Sequence, residues 1–253
     1  MAKDNPITDA IAKLKEAETR LNAALGGEKS RKRGAVVQQL HTVRQMLRPG
    51  YRYTSQAGQD AIVDNVFDQK RGGTFIDIGG YDGITGSNTC FLEMWRGWTG
   101  VLVEPVPAQL AKAQEVRRCP CLGVAVAATE GEAQFLEITK GFTQMSGMLD
   151  TYDPKLLEQV RADKRHAENT ITLETRTLSR IMTDAGLPDP DFVSLDIEGG
   201  EVAVLEDFPF GDHQVGVWAI ENNTGTTRIR EIMVAHGYNL IEFCGADEIY
   251  RRK

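Results

Sequence analysis

Apolar residues recur along this chain in two different rhythms. In the first 50 residues the rhythm is helical: Ile7, Ile11, Leu14, Leu21 and Leu25 fall on one face, with Lys, Glu and Arg between them. Asn5 followed by Pro6 predicts the start of that helix, because Asn accepts from a free amide there and proline is tolerated in the first turn. Gly26-Gly27 predicts its end. Val36, Val37, Leu40, Val43 and Leu47 predict a second helix, stopped by Pro49-Gly50. The segment between the helices, EKSRKRG, reads as a solvated basic loop. Two amphipathic helices this short cannot bury their stripes alone, so they must pack on each other, on the rest of the chain or on another subunit.

From about residue 55 short apolar runs alternate with helical patterns. The runs are Thr74–Ile78, Gly100–Glu104, Cys121–Ala127, Phe192–Asp196 and Val215–Glu221, apolar throughout as strands buried on both faces should be. Helical patterns cover 88–95, 107–117, 174–185, 200–206 and 226–236. This alternation predicts right-handed βαβ units and a parallel sheet. Asn239–Phe243 and Glu248–Arg252, separated by Cys-Gly-Ala-Asp, predict a closing antiparallel hairpin. The expected division is a helical hairpin extension over 1–50 and one α/β domain over 51–253.

Composition narrows the class. A chain of 253 residues, 41% hydrophobic and 26% charged, is that of a globular enzyme that needs no disulfide or metal to hold its core. No apolar run approaches the ~20 residues of a membrane helix. The opening MAKDNPITDA lacks the pattern of a secretory signal. Cys90, Cys119, Cys121 and Cys244 have neither disulfide-framework nor zinc spacing, which suits reduced thiols in a cytoplasm. A net charge of −7 argues against nucleic acid or an anionic membrane as partner.

The strongest chemical signal is FIDIGGYDG, 75–83: an apolar strand ending at Asp77, then a turn carrying Gly79, Gly80 and Gly83 into a helix. Such a turn brings a ligand to the carboxyl ends of the strands. The dinucleotide fingerprint fails, because Tyr81 and Ile84 stand where its later glycines belong. The plain alternative is a tight turn with a capping Asp. The next strand ends in VLVEP, and Glu104 at its tip can accept from both hydroxyls of a ribose, or can be a solvated strand-end acid.

Taken in order, SQAGQD (55–60), FIDIGGYDGITGSNT (75–89), LEMWRGWTGVLVEP (92–105), LDIEGGEVAVLEDFPF (195–210), AIEN (219–222) and HGY (236–238) resemble the FkbM family of S-adenosylmethionine (SAM)-dependent methyltransferases. The resemblance spans about residues 53–252 and leaves the first 50 outside. It implies a Rossmann-like class I methyltransferase fold, a seven-stranded, mostly parallel sheet ending in an antiparallel hairpin. It also implies O-methylation of a hydroxyl on a sugar, glycan or natural-product acceptor. Asp77 would hold the ammonium of SAM and Glu104 the ribose. Gln56, Gln59 and Asp60 would lie by the methionine end or at the cleft mouth. Ser87, Asn88 and Thr89 would open the first helix of the domain, where free amides favour an anionic group, unless Ser87 is simply its N-cap. Phe142 to Gly147 would cover the cleft or form a mobile connection.

A hydroxyl is a poor nucleophile at neutral pH, so a base or a metal would assist. Asp196, Glu198 and Glu201, in D-I-E-G-G-E, are the catalytic candidates. Glu221 and Asn222 end the adjacent strand and, with Asp196, would make an oxygen-rich site for Mg²⁺ or Mn²⁺. This is similar to the catechol O-methyltransferase arrangement, with Glu where those enzymes carry Asp. His166 is a further base candidate, and His236 suits a helix C-terminus. Rival readings are a nicotinamide-dependent oxidoreductase and a catalytically degenerate methyltransferase fold acting as a binding or assembly module. A homodimer through the N-terminal helices is expected.

Overall fold

The computed structural model describes residues 5–253; residues 1–4, where the expected extension begins, lie outside the described residues. Helix α1 (Pro6–Gly27) starts as its sequence predicts, with the Asn5 side chain accepting from the Ile7 amide at 3.1 Å. It pairs with α2 (Arg33–Leu47), and α2 in turn packs on the far edge of the main sheet. The predicted stripes end differently. Leu40 and His41 of α2 are buried against the domain, whereas α1 buries no residue.

The basic loop between these helices is not a solvated face. Arg31 and Arg33 reach into the domain, and Gly34 touches it: a Cβ there would come within 2.2 Å of the Gly245 carbonyl oxygen. His41 is buried between the Tyr51 hydroxyl and the Ser55 carbonyl, 3.0 Å from each.

Beyond the hairpin come α3 (Gln59–Val66), β1 (Thr74–Ile78), α4 (Cys90–Arg96), β2 (Thr99–Val103), α5 (Pro107–Val116) and β3 (Cys121–Leu122). There follow β4 (Ala125–Val126), β5 (Gly131–Lys140), β6 (Gly147–Met148), α6 (Pro154–Arg161), β7 (Ala167–Arg176) and α7 (Leu178–Asp184). The chain ends with β8 (Phe192–Leu195), α8 (Glu201–Asp207), β9 (Val217–Glu221), α9 (Arg228–Ala235), β10 (Tyr238–Cys244) and β11 (Asp247–Arg252).

The main sheet has seven strands in the order β10-β11-β9-β8-β1-β2-β3. All pairs from β9 to β3 are parallel, and β11 runs antiparallel to both of its neighbours. The expected class I methyltransferase architecture is therefore present, with the closing hairpin turned inward so that β11 separates β9 from β10. Aliphatic and aromatic side chains fill both faces, with Trp98, Trp218, Tyr250 and Phe75 fully buried.

A second sheet, β4-β7-β5-β6, revises two sequence expectations. The run Cys121–Ala127 is two short strands, one in each sheet, because the chain leaves the main sheet at Gly123. The helical pattern placed over 174–185 is the end of β7 followed by α7, which the Thr177 side chain caps. The second sheet keeps one wet face, so β5 and β7 are rich in Glu, Gln, Thr and Lys and lack a continuous apolar run.

A fully buried cation ties the glycine turn to the helices around it. Arg117, just beyond α5, donates to Glu93 at 2.7 Å, to Thr89 at 2.8 Å and to the Gly83 carbonyl at 3.2 Å, and lies 3.5 Å from Asp77. Gly83 is required by this packing, since a Cβ would come within 2.8 Å of the Arg117 side chain. Removing the guanidinium leaves two buried carboxylates without a cation. Arg117→Met is therefore expected to cost ~3–5 kcal/mol, read as a lowered urea midpoint at unchanged slope. A midpoint shift within experimental error would show that the network contributes nothing net.

Candidate functional site

The order of strands along the chain reverses at β1, which is flanked by β2 on one side and β8 on the other. Loops leaving β1 and β8 diverge there, and a crevice opens beyond the carboxyl ends. It is a cleft of about 830 Å³, walled on one side by the β1 turn and the β8 end and on the other by Phe135 and Met148 of the second sheet.

The turn after β1 has the conformation its glycines predict, but for a different reason. Gly79 has φ +82°, and a Cβ there would meet the Asp196 carbonyl oxygen at 2.0 Å; one on Gly80 would meet Leu102 at 2.3 Å. These glycines let the β1 turn nest against neighbouring protein, which leaves the cleft open. Gly83 does not line the cleft.

Asp77 is buried at the floor. The Thr89 hydroxyl, the Ser87 hydroxyl at 3.4 Å and Arg117 all converge on Oδ2, and no described residue donates to Oδ1. Burial pushes this carboxyl up, and Arg117 opposes the shift. Ser87 is both lining and cap: its hydroxyl accepts from the Cys90 amide at 3.0 Å. Asn88 also lines the cleft, donates to Ser194 at 2.9 Å, and has a buried Oδ1 with no partner among the described residues. An unpaired buried acceptor and a carboxylate in the lining of one cleft fit a cationic N–H donor.

Glu104 is 5% exposed and accepts from the Tyr81 and Val106 amides, 2.8 Å each, one on each oxygen. Each oxygen keeps capacity for a hydroxyl donor. Burial pushes its pKa up to about 7, the two amides oppose the shift, and Asp77 and Asp82 add to it.

Of the three residues expected at the cleft mouth, only Gln56 lines it. Asp60 is buried and accepts from the Thr54 and Ser55 amides and the Ser55 hydroxyl, so it folds the loop that presents Gln56. Gln59 donates to Asp247 of β11 at 2.9 Å. Both polar groups are consumed by the fold. Thr143, Gln144 and Ser146 line the opposite rim, joined to the glycine turn by the Tyr81–Thr143 hydroxyl bond of 2.7 Å.

The acids beyond β8 and β9 form the second part of the site. One carboxylate oxygen from each of Asp196, Glu198 and Glu221 lies within 4.8 Å of the others. Among the described residues no Lys or Arg pairs with any of them. Burial pushes all three upward, and repulsion from neighbouring acids adds to it: Asp247 and Glu201 act on Asp196, and Asp196 acts on Glu198 and Glu221. Glu198 has φ +57°, a left-handed backbone that costs ~1 kcal/mol or more and aims the side chain at this cluster from its turn. Three oxygen donors without a counter-charge match a hard divalent cation.

Two expectations about the acids are corrected. Asn222 does not join the cluster: its amide is spent on the Thr226 backbone, 2.9 and 3.0 Å, and on Glu248 at 2.8 Å. Glu198 stands in its place. Glu201 turns back to accept from the Ile197 and Gly199 amides at 3.1 and 3.2 Å, holding its own turn as a first-turn acid does at a helix start. His166 pairs with Glu168 at 2.7 Å and does not line the cleft, and His236 bonds the Ile232 carbonyl at the end of α9.

Glu198 also lines a second cavity of about 380 Å³, with Asp153, Asn222, Asn223, Thr224 and Thr226 around it. Sequence reasoning missed Asn223, whose amide donates to Glu198 at 3.2 Å, and Arg117. The only available signal for Asn223 was its place just past a strand-end acid.

A family model described as Methyltransferase FkbM domain matches residues 77–240, more than half of the chain. Similar solved structures include the FkbM methyltransferase of Methylobacillus flagellatus KT, 15% identical with a TM-score of 0.49, covering 96% of this chain and 60% of that one. A SAM-dependent methyltransferase of Geobacter sulfurreducens, in complex with S-adenosyl-L-homocysteine, is 12% identical with a TM-score of 0.36, covering 77% and 69%. M. capricolum TrmK, also with S-adenosyl-homocysteine, is 13% identical with a TM-score of 0.37, covering 75% and 66%. This chain thus spans 60% of the length of the M. flagellatus protein. No curated protein matches it. No described helix is long and apolar enough to cross a membrane. The match over residues 77–240 takes in both the glycine turn and the acids, and the chain belongs to the FkbM family of SAM-dependent methyltransferases.

Proposed function

We propose that this protein transfers the methyl group of SAM to a hydroxyl oxygen on a sugar, glycan or natural-product acceptor. The observation that carries the reading is a pair of cavities that share Glu198. A cleft ends at a cation-free acid cluster, and Glu198 of that cluster lines a second cavity walled by Asn223, Thr224 and Thr226 together with Leu156, Val202 and Ile229. Bound SAM supplies a methyl carbon already activated by its sulfonium. The protein's part is to align the acceptor and receive its proton.

In this reading Asp77 Oδ1 and Asn88 Oδ1 take the ammonium end, with Ser87 and Gln56 beside them, while Gly79 and Gly80 keep the floor clear. Glu104 takes the ribose hydroxyls. Asp196, Glu198 and Glu221 hold Mg²⁺ or Mn²⁺, which would lower the pKa of an acceptor hydroxyl; Glu198 is the base if the cluster works without a cation. Gln59, Asp60, Gly83 and Glu201 support these groups from behind. Asp153, Glu198 and Glu201 around the second cavity favour a neutral acceptor over an anionic one, because they repel negative charge. The four free cysteines suit a reducing cytoplasm. The division into an extension over 1–50 and a catalytic domain over 51–253 is kept as part of this proposal.

The direct test is mass spectrometry of the purified protein for co-bound SAM or its product, followed by an acceptor screen with isotopically labelled SAM weighted to sugars. Label appearing only on nitrogen or carbon acceptors would overturn the O-methyl assignment.

The cofactor reading gives a pH dependence. A ribose donates best to ionised Glu104, whose pKa is raised to about 7. Protons compete with the ligand, so affinity for S-adenosylhomocysteine should rise as pH goes from 6 to 8, by up to roughly tenfold, about 1.4 kcal/mol. Glu104→Gln should bind more weakly and show a flat profile in calorimetric titration. A wild-type profile as flat as the variant's would remove Glu104 from the ribose site.

The cation reading predicts that Asp196→Asn and Glu198→Gln each weaken Mn²⁺ binding by about tenfold or more. Full methyl transfer after exhaustive chelation, unresponsive to added Mg²⁺ or Mn²⁺, would leave Glu198 as base instead.

We also propose self-association through the N-terminal helices. Its support is the apolar surface that the extension leaves uncovered: Ile7 is 68% exposed near the start of α1, and Met46, 65% exposed, lines a groove with Ala17, Leu21, Ala24 and Val43. Light scattering on the full chain should give a dimer at micromolar concentration, and Ile11→Glu with Met46→Glu a monomer. A monomeric wild-type protein would defeat the proposal.

A further inference from the structure

Family resemblance stops short of the helical extension, yet one extension side chain reaches the far side of the acid cluster. Arg31 leaves the loop between α1 and α2 and enters the cleft between the end of β9 and the β10–β11 turn. Its Nη1 donates to Glu248 at 2.6 Å. Its Nη2 donates to the Ala246 carbonyl at 2.7 Å and to the Asn222 carbonyl. Gly225 lies alongside, where a Cβ would sit 3.7 Å from Arg31 Nε.

These contacts tie the segment 222–226, through the Asn222 carbonyl, to Ala246 and Glu248 at the β10–β11 turn. Asn222 clamps it from within through its two bonds to Thr226, and the Gly225 amide bonds the same Asn222 carbonyl that Arg31 reaches, at 3.1 Å. Glu248, buried on β11, accepts from both Arg31 and the Asn222 side chain. The segment walls the second cavity and carries Asn223, which makes the one hydrogen bond that described residues supply to the Glu198 carboxylate.

The geometry points to Arg31 as a positioning residue: it holds the 222–226 segment so that Asn223 orients Glu198 toward the acid cluster and the acceptor cavity. A fork of donors suits three acceptors spread over the turn after β9, the β10–β11 turn and the start of β11, which a lysine head could not span together. The inference rests on the proposed reading of Glu198 as part of the reacting end, and it makes the extension a component of the site. Arg33 provides the contrast. It pairs with Glu242 and with the Leu25 and Glu28 carbonyls, so it docks the hairpin without touching 222–226.

Arg31→Ala and Arg33→Ala, made in the full chain, separate positioning from docking. Hydrogen exchange is followed at the Gly225 and Thr226 amides, and Mn²⁺ and S-adenosylhomocysteine are titrated separately. Arg31→Ala is expected to speed exchange at those two amides and to weaken Mn²⁺ binding by about tenfold, the usual effect of losing support behind a metal ligand. S-adenosylhomocysteine affinity should stay within experimental error. Arg33→Ala should leave all three readouts unchanged.

Unchanged exchange in Arg31→Ala overturns the proposal. So does an equal effect of Arg33→Ala, which would show that hairpin docking alone matters. If the wild-type protein binds no Mn²⁺, the cation reading falls, and exchange at Gly225 and Thr226 alone decides the role of Arg31.

Discussion

Everything at the functional end of this molecule depends on the parallel pairing of β1 with β8. Asp77 stands beside Ser194 in that register, one residue short of the β1 end, and Asp196 follows β8 directly. Strands far apart in sequence thereby bring a glycine turn and an acidic turn side by side. The close fit is enforced by Gly79, because any side chain there would collide with the Asp196 backbone. One steric requirement thus sets the distance between the proposed cofactor floor and the acid cluster.

Within that frame the buried acids divide into two electrostatic kinds. Asp77 and Glu93 share Arg117, a cation sealed in the interior, which at Asp77 opposes the upward push of burial. Asp196, Glu198 and Glu221 have no such partner, and desolvation with repulsion from neighbouring acids favours their protonated forms. Buried carboxylates left without a counter-charge are costly. A fold that retains one of them on a left-handed backbone at Glu198, with half-buried Asp196 and Glu221 beside it, has concentrated that cost where ligand chemistry can use it.

The extension and the second sheet complete this site from opposite directions. The second sheet walls the cleft with Phe135 and Met148, and its rim reaches the glycine turn through Thr143. The extension anchors the far turn through Arg31 and the sheet edge through Arg33 and Gly34. Its α1 surface stays free of the domain, so the two helices serve different surfaces: α2 faces inward and α1 outward.

Much of this was legible in the residues alone. The continuous apolar runs marked β1, β2, β8 and β9 because strands covered on both faces tolerate little else, and the glycine turn and strand-end acids marked the cleft. β5 and β7 were not legible, since a sheet with one wet face alternates Glu, Gln and Thr with Phe, Leu and Ile and mimics a polar connection. Nor could sequence separate Asp196 from Glu201, or Glu198 from Asn222. Carboxylates and amides at neighbouring positions look alike until the backbone decides which face the cleft and which are spent on free amides. The same holds for Arg31, which reads as part of a solvated basic loop, and for Arg117, which no local pattern marks as interior. By itself, then, the sequence determined the strand-and-helix alternation, the position of the glycine turn and the inventory of acids, because these follow from local periodicity and conformational preference. Tertiary structure alone decided which acids lack a cation, which glycines face protein instead of ligand, and which arginines are interior, because those properties depend on partners that are distant along the chain.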